Sequence, residues 1–266
     1  MSNIKPVLRF ARRALPWLLI GLSSSAATLL AMAPAGWVAP YVAQATAGRL
    51  VLADASGSLW QGQATLMLAA GAANGVDHIA PTVLPGRLTW RTDFWPIWLG
   101  HLHCEIAHTS AMPEPVALDL SWRHASLAEG QVDLPAEVLT GLGSPFNTLD
   151  LKGDLQLAWT PLRLLNRQAF GQINLSLSDL GSRVSRISPL GSYRLRLELN
   201  GSAATLALST VHGPLLLDGQ GHASLDSFDF DGSARAAPGF ESGLAGFLNI
   251  LGTARGDGTY SLRTMP

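Results

Sequence analysis

Three scarcities constrain this chain before any motif is considered. Charged residues make up 14% of its 266 positions, against about 25% in ordinary soluble domains. Cysteine occurs once, at Cys104, so no disulfide can form within the chain and the fold must rest on its core. Positive charge is short as well. Lys5, Arg9, Arg12 and Arg13 crowd the N-terminus, and taking those four from the 18 basic residues leaves 14 against 19 acidic. A mildly acidic remainder lacks the basic face that nucleic acid requires, so no nucleic-acid partner is expected.

Catalytic signatures are equally sparse. Gly57-Ser58 and Gly191-Ser192 lack the remaining positions of a G-x-S-x-G elbow. Gly219-Gln-Gly221 and Gly141-Leu-Gly143 lack the third glycine of a dinucleotide turn, and there is no P-loop. The densest set of metal-ligand types is His101-Leu-His-Cys-Glu-x-x-His108. On a strand, His101, His103 and Glu105 share one face and Cys104 takes the other. Two histidines two apart need a third ligand from elsewhere to hold zinc, so a metallohydrolase on His101, His103 and His108 ranks far below a solvated strand face. Ser227-Phe-Asp-Phe-Asp-Gly232 starts like a calcium loop, but its twelfth position is Pro238 where a bidentate glutamate is required. No enzyme, metal or cofactor is expected.

What is present begins with one long apolar stretch. From Ala14 to Gly48 no residue is charged, and Leu15 to Ala33 is apolar or small. About 20 helical residues cross a hydrocarbon core, and basic residues precede the run while none follows before Arg49. The charge bias predicts a cytoplasmic tail over 1–14, a transmembrane anchor over 15–34, a juxtamembrane connector over 35–48 and an exported domain over 49–266. Ala31-Met-Ala33 and Ala43-Gln-Ala45 offer the rival, a cleaved signal peptide. The run exceeds a usual signal core, which favours a retained anchor.

The exported part reads as all-β. Ala55-Ser-Gly-Ser-Leu-Trp-Gln-Gly-Gln-Ala64 is a turn that feeds an alternating strand, with its glycines turning the chain and Trp60 packing under the first strand. Arg49–Asp54 is a short strand. Tyr193, Leu195, Leu197 and Leu199 alternate with Arg194, Arg196, Glu198 and Asn200, the pattern of a half-buried antiparallel strand. Asn200-Gly201, Asp218-Gly219 and Asp231-Gly232 read as turns. Leu134–Gly143 suits one helical turn stopped by Gly141, and Gly243–Leu251 a short helix before a last strand over Thr259–Thr264. The expected fold is one long antiparallel curved sheet or a sandwich.

A weak internal repeat runs through it. In one copy Gly86-x-Leu-x-Trp90 leads through a link ending at Leu99-Gly100 to Leu102–Ile106. In the other, Gly153–Trp159 leads through Pro161–Leu165 to Gly171 and Ile173–Leu177. Trp60, Trp90, Trp95, Trp98, Trp122 and Trp159 are a notable resource. They suit core packing, or an apolar sheet face that holds a lipid or another protein's segment.

Gly57-Ser-Leu-Trp-Gln-Gly62, Gly86–Trp90 with Pro96 and Leu99-Gly100, Ser188-Pro-Leu-Gly-Ser-Tyr193 and Thr210-Val-His-Gly-Pro-Leu-Leu-Leu-Asp-Gly219 occur in that order. This series resembles the N component of the bacterial type II secretion system, with Ser58 where the family usually has Thr. The resemblance implies an inner-membrane protein with one span, a periplasmic β-rich domain and no enzymatic activity. It implies secretion partners, plausibly the C and M proteins. Gly57, Leu59, Trp60, Gly62, Trp90, Trp159, Pro189, Gly191, Tyr193, Gly213 and Pro214 are the structural or contact candidates. The alternative is an anchored periplasmic lipid-binding or lipid-transfer module.

Overall fold

The computed structural model describes residues 21–25, 28–29, 31–69, 82–93, 100–142, 146–224 and 227–263. Period-two alternation gives the chain strands with one apolar and one polar face, and short turns let each strand pair with the one before it. The result is one open antiparallel sheet in which sequence order is almost spatial order. It starts with β1 (Leu50–Gly57) and β2 (Gln61–Leu68), then β3 (Thr82–Val83) and β4 (Leu88–Thr92), both on β2. β5 (His101–His108), β6 (Val116–Ser121) and β7 (His124–Leu127) follow.

Two apparent forks are interruptions within long strands. β8 (Gly130–Pro135) pairs with β9 (Leu151–Trp159), and β7 pairs with β10 (Leu162–Leu165), in a common register. Both β9 and β10 lie along β11 (Gln168–Ser182). β12 (Gly191–Gly201), β13 (Ala203–His212), β14 (Leu215–Ser224) and β15 (Phe228–Ala236) continue the meander. β17 (Thr259–Arg263) lies between β15 and the two-residue edge β16 (Thr253–Ala254). Among the described residues β1 pairs with β2 alone, so the sheet has free ends and does not form a sandwich.

Helices cover the apolar face in patches. A 3-10 turn (Ala35–Trp37) and α1 (Val38–Ala45) occupy part of the stretch expected to be a connector, and pack on Leu52, Ala64, Trp90 and Cys104. A 3-10 helix over Ala136–Leu142 and α2 (Phe146–Leu149) follow β8. α3 (Glu241–Leu251) lays Leu244, Phe247 and Leu248 on Tyr193, Leu215 and Ala234. The helix over Gly243–Leu251 therefore forms as the sequence indicates, two residues longer at its start.

Several local expectations change. Gly141 does not stop its helix, which runs on to Leu142. Arg49–Asp54 extends into an eight-residue strand that takes in Ser56 and Gly57 of the expected turn. It tolerates a bulge between Ala53 and Ser56, with Asp54 at φ 49°. Pro161–Leu165 is not a link, since Leu162–Leu165 forms strand. Asp218-Gly219 and Asp231-Gly232 lie inside paired strands, with Gly219 opposite Gly232. A Cβ on Gly219 would come 2.6 Å from the Phe230 ring, so these glycines make room for an aromatic rather than turn the chain. The hairpin expected at Asn200-Gly201 forms one residue later: Asn200 pairs with Ala203, and Gly201-Ser202 turn the chain, with Gly201 at φ 75°.

Of the apolar span expected over 15–34, residues 15–20, 26–27 and 30 lie outside the described residues. Within them, residues 21–25, 28–29 and 31 are helical, and no helix is long and apolar enough to cross a membrane.

Candidate functional site: a glycine–tyrosine corner

The segments Ser188–Tyr193 and Thr210–Gly219, separated by the 16 residues 194–209, meet at one corner. β11 ends at Ser182, and the chain returns through Pro189, which follows a cis peptide bond, to start β12 at Gly191. β13 ends beside it, and Gly213-Pro214 turns into β14. Gly191 and Gly213 adopt φ values of 147° and 132°. A Cβ on Gly213 would stand 2.3 Å from Cα of Gly191, so the two backbones touch in a way open only to glycine.

Tyr193 locks the corner. It is 2% exposed, and its hydroxyl lies 3.1 Å from the Leu190 carbonyl and 3.0 Å from that of Leu215, which one proton serves together. Burial holds the phenol far above its ordinary pKa, so it stays a neutral donor. The Leu215 N–H donates to the Leu190 carbonyl (3.0 Å), and Ala237 N–H donates to Pro214 (2.7 Å). Leu190 and Leu215 are buried against α3.

At the rim, Ser192 Oγ accepts the Asp179 N–H at 3.0 Å and lies 3.3 Å from His212 Nε2. Asp179 Oδ1 approaches the same nitrogen at 3.9 Å. A nucleophilic triad uses the two ring nitrogens separately, one toward serine and one toward carboxylate. Here both groups crowd Nε2 and the hydroxyl is buried, so the arrangement braces a bulge rather than activates a nucleophile.

The remaining candidates lie elsewhere. Gly57, at φ 91°, turns β1 toward β2; a Cβ there would stand 2.5 Å from the Gln61 carbonyl. Leu59 donates its N–H to Ala33 (2.8 Å) and accepts the Trp90 indole N–H (3.2 Å). Trp60 is half-buried and its carbonyl accepts the Thr92 N–H (2.6 Å). A shallow hollow of about 410 Å³ beside Gly57, Gln61 and Gly62 carries Arg91 and Glu105, which face each other in register. Trp159 donates its indole N–H to Ala128 at 2.7 Å. The structure therefore unites Pro189, Gly191, Tyr193, Gly213 and Pro214, and places Gly57, Leu59, Trp60, Gly62 and Trp90 together at the β1–β2 turn, with Trp159 apart from both.

One relationship escaped the sequence reading. Trp90 and Trp159 each donate to a carbonyl 31 residues earlier, and each lies over a glycine paired with it, Gly62 and Gly130. The signal was available: Ser58-Leu-Trp-Gln-Gly62 matches Ser126-Leu-Ala-Glu-Gly130 at serine, leucine and glycine.

The histidines do not converge. His103 Nδ1 lies 2.5 Å from Asp119 Oδ1, and that hydrogen bond raises its pKa. His108 is 3% exposed on the opposite, apolar face, where burial lowers its pKa. His101 faces His124 with ring centroids 6.3 Å apart. Among the described residues no three His, Cys, Asp or Glu side chains converge on a metal position.

The described residues thus form an open single-sheet scaffold whose corners are braced by glycine contacts and buried hydrogen bonds. Over residues 48–263 the chain matches the family of the type II secretion system (T2SS), protein N, and it belongs to that family. It is thus a component of type II secretion, a protein-transport apparatus whose parts work through contact with one another. No curated protein and no solved structure matches it.

Proposed function

We propose that the chain is a non-enzymatic inner-membrane component of the secretion apparatus. A span over 15–34 tethers it, the β domain lies in the periplasm, and contacts with the C and M proteins aid export of folded proteins. The observation that carries this reading is the outer edge of β1, where the Thr46 hydroxyl holds the Leu50 N–H and carbonyl and the edge beyond Leu50 has no strand partner among the described residues. Ala69 N–H donates to the Arg49 carbonyl and Leu84 N–H to that of Leu66, which fixes the alternation along the β1–β2 ladder. By that alternation the backbone groups of Leu52 point away from β2. Such an edge accepts a partner's strand by main-chain hydrogen bonding. Photo-crosslinkers at Ala53 and Ser56 in cells are expected to capture secretion components. Capture of none, with secretion intact after deletion, overturns the proposal.

A second reading, lipid binding, draws on another part of the sheet. Leu195, Leu197 and Leu199 on β12 and Leu206 and Leu208 on β13 share one half-exposed face outside the helix-covered clusters. Native mass spectrometry of the full chain would find bound phospholipid if that face cradles acyl chains; a chain free of lipid rejects it.

A further inference from the structure

Two neighbouring hairpin turns stand out on the end of the sheet where β1 hands over to β2. In an antiparallel meander the β1–β2, β6–β7 and β10–β11 turns fall at the same end, and the segment before the sheet arrives there too. Leu59 N–H donates to Ala33, and Pro34 bridges Ser58. The residues before Pro34 expose Leu22 and Leu29, which are helical, and Met32 in the turn after them. The β6–β7 turn carries Trp122 and Arg123 and the β10–β11 turn carries Asn166 and Arg167, joined by an Asn166 N–H bond to the Arg123 carbonyl at 3.4 Å.

The composition of this tip is unusual for a turn pair. Trp122 is 89% exposed, and Leu164 and Leu165 are also exposed beside it. Arg123 and Arg167 are exposed, neither is within ion-pair reach of a carboxylate among the described residues, and neither turn contains an acidic residue. The backbone adds a second argument. Asn166 and Arg167 sit at φ 48° and 67°, the left-handed pair of a tight hairpin, where glycine fits the second position at no cost. The β12–β13 hairpin uses a different turn, Gly201-Ser202, with a glycine at its first position at φ 75° and no left-handed residue at its second. The β10–β11 turn places an arginine in its left-handed second position, at a backbone cost that glycine would not incur, and so holds a cation at the apex.

We infer that the Trp122–Arg123 and Asn166–Arg167 turns form a second membrane contact, in which the arginines engage anionic phospholipid headgroups and Trp122 enters the interfacial layer. Tryptophan and arginine suit that layer, one end apolar and the other polar or charged. The chain's apolar helical residues leave the sheet at the same end, so one bilayer surface meets both. The occupant is a lipid surface rather than a protein groove, because the two turns carry exposed cations without a carboxylate partner among the described residues and contain no acid of their own. This inference rests on the proposed membrane location, but its test reads the tip separately.

The full chain would carry Cys104→Ser and an environment-sensitive fluorophore at Asn166→Cys, with a control fluorophore at Glu114→Cys on the opposite end. It would be reconstituted in nanodiscs of phosphatidylcholine alone or with phosphatidylglycerol. Resistance to carbonate extraction from matched vesicles reads the anchor; acrylamide quenching reads the tip whether or not the chain inserts. In phosphatidylglycerol discs the Asn166 label is expected to become several-fold less quenchable while the Glu114 label stays open. Arg123→Gln and Arg167→Gln should each lower the ratio of docked to free tip about fivefold. An Asn166 label as open as the control in anionic discs overturns the inference, even where the anchor resists extraction. Protection that depends on added secretion proteins and not on anionic lipid also overturns it, and reassigns the tip to a protein partner.

Discussion

A Cβ placed on Gly62 would stand 2.4 Å from Cζ2 of Trp90, so the indole fills the space that residue 62 leaves empty. The two residues pair across β2 and β4, and the ring's N–H reaches back to the Leu59 carbonyl. One aromatic thus pins the first hairpin turn to the neighbouring strand β4. Trp90→Ala should destabilise the protein by about 3–5 kcal/mol, and Gly62→Ala by about 1–3 kcal/mol through overpacking. Trp90→Phe keeps most of the ring and loses the hydrogen bond, costing about 1 kcal/mol beyond its packing loss. Chemical denaturation of the three variants checks the order. Trp60, half-buried, should cost less than Trp90 when replaced by alanine.

The second copy of this device predicts a second, separable effect. Gly130 and Trp159 pair across β8 and β9, and a Cβ on Gly130 would stand 2.6 Å from the Trp159 ring. Because the two sites share no contact residue, losses from Gly62→Ala and Gly130→Ala should add within about 0.5 kcal/mol. A coupling well above that in the double mutant would mean the copies act as one unit.

These pairs also show what was legible in the sequence. Alternation such as Tyr193–Asn200 fixes a strand and its buried face, because one residue of slip would expose every leucine. It does not say whether a second sheet covers that face. Helices do so in patches, which is why both a sheet and a sandwich were expected and only the sheet exists. Asp218-Gly219 has the composition of a turn, but the ring of Phe230, far along the chain, sets its use. Tyr193 and Gly213 were marked by a family resemblance. Their physical reason, two touching glycine backbones and a shared phenol proton, is a tertiary contact that no local pattern carries.

The Tyr193 corner should behave as scaffold. Tyr193→Phe removes a donor from two carbonyls, but Leu190 keeps the Leu215 N–H, so the loss is about 1 kcal/mol. Gly213→Ala should cost more, because backbone rather than a flexible side chain must move away. Secretion by both variants is expected to track the amount of folded protein, measured by denaturation and quantitative immunoblotting. A Tyr193→Phe variant of normal stability and abundance that fails in secretion would make the corner a contact surface instead.

The two perturbed histidines predict a stability maximum near neutral to mildly acid pH. His103 has a folded pKa above 6.5, chiefly through its hydrogen bond to Asp119. The folded protein therefore takes up that proton first, and its contribution is complete below 6.5 and lost as pH rises through the folded value. His108 is opposite. Burial lowers its pKa, so below 6.5 the unfolded chain gains a proton that the folded protein refuses, and stability falls with further acidification. Its Nδ1 accepts the Ala111 N–H at 3.1 Å, which requires the neutral ring. His108→Asn offers an uncharged acceptor there. It should lower stability at pH 8 through lost packing yet flatten the decline between pH 6.5 and 5, whereas Asp119→Asn should remove the extra stability at low pH and with it the decline on the alkaline side. Urea midpoints across pH 5 to 8 for the three proteins check both limbs; an unchanged acid limb in His108→Asn would locate the titrating group elsewhere.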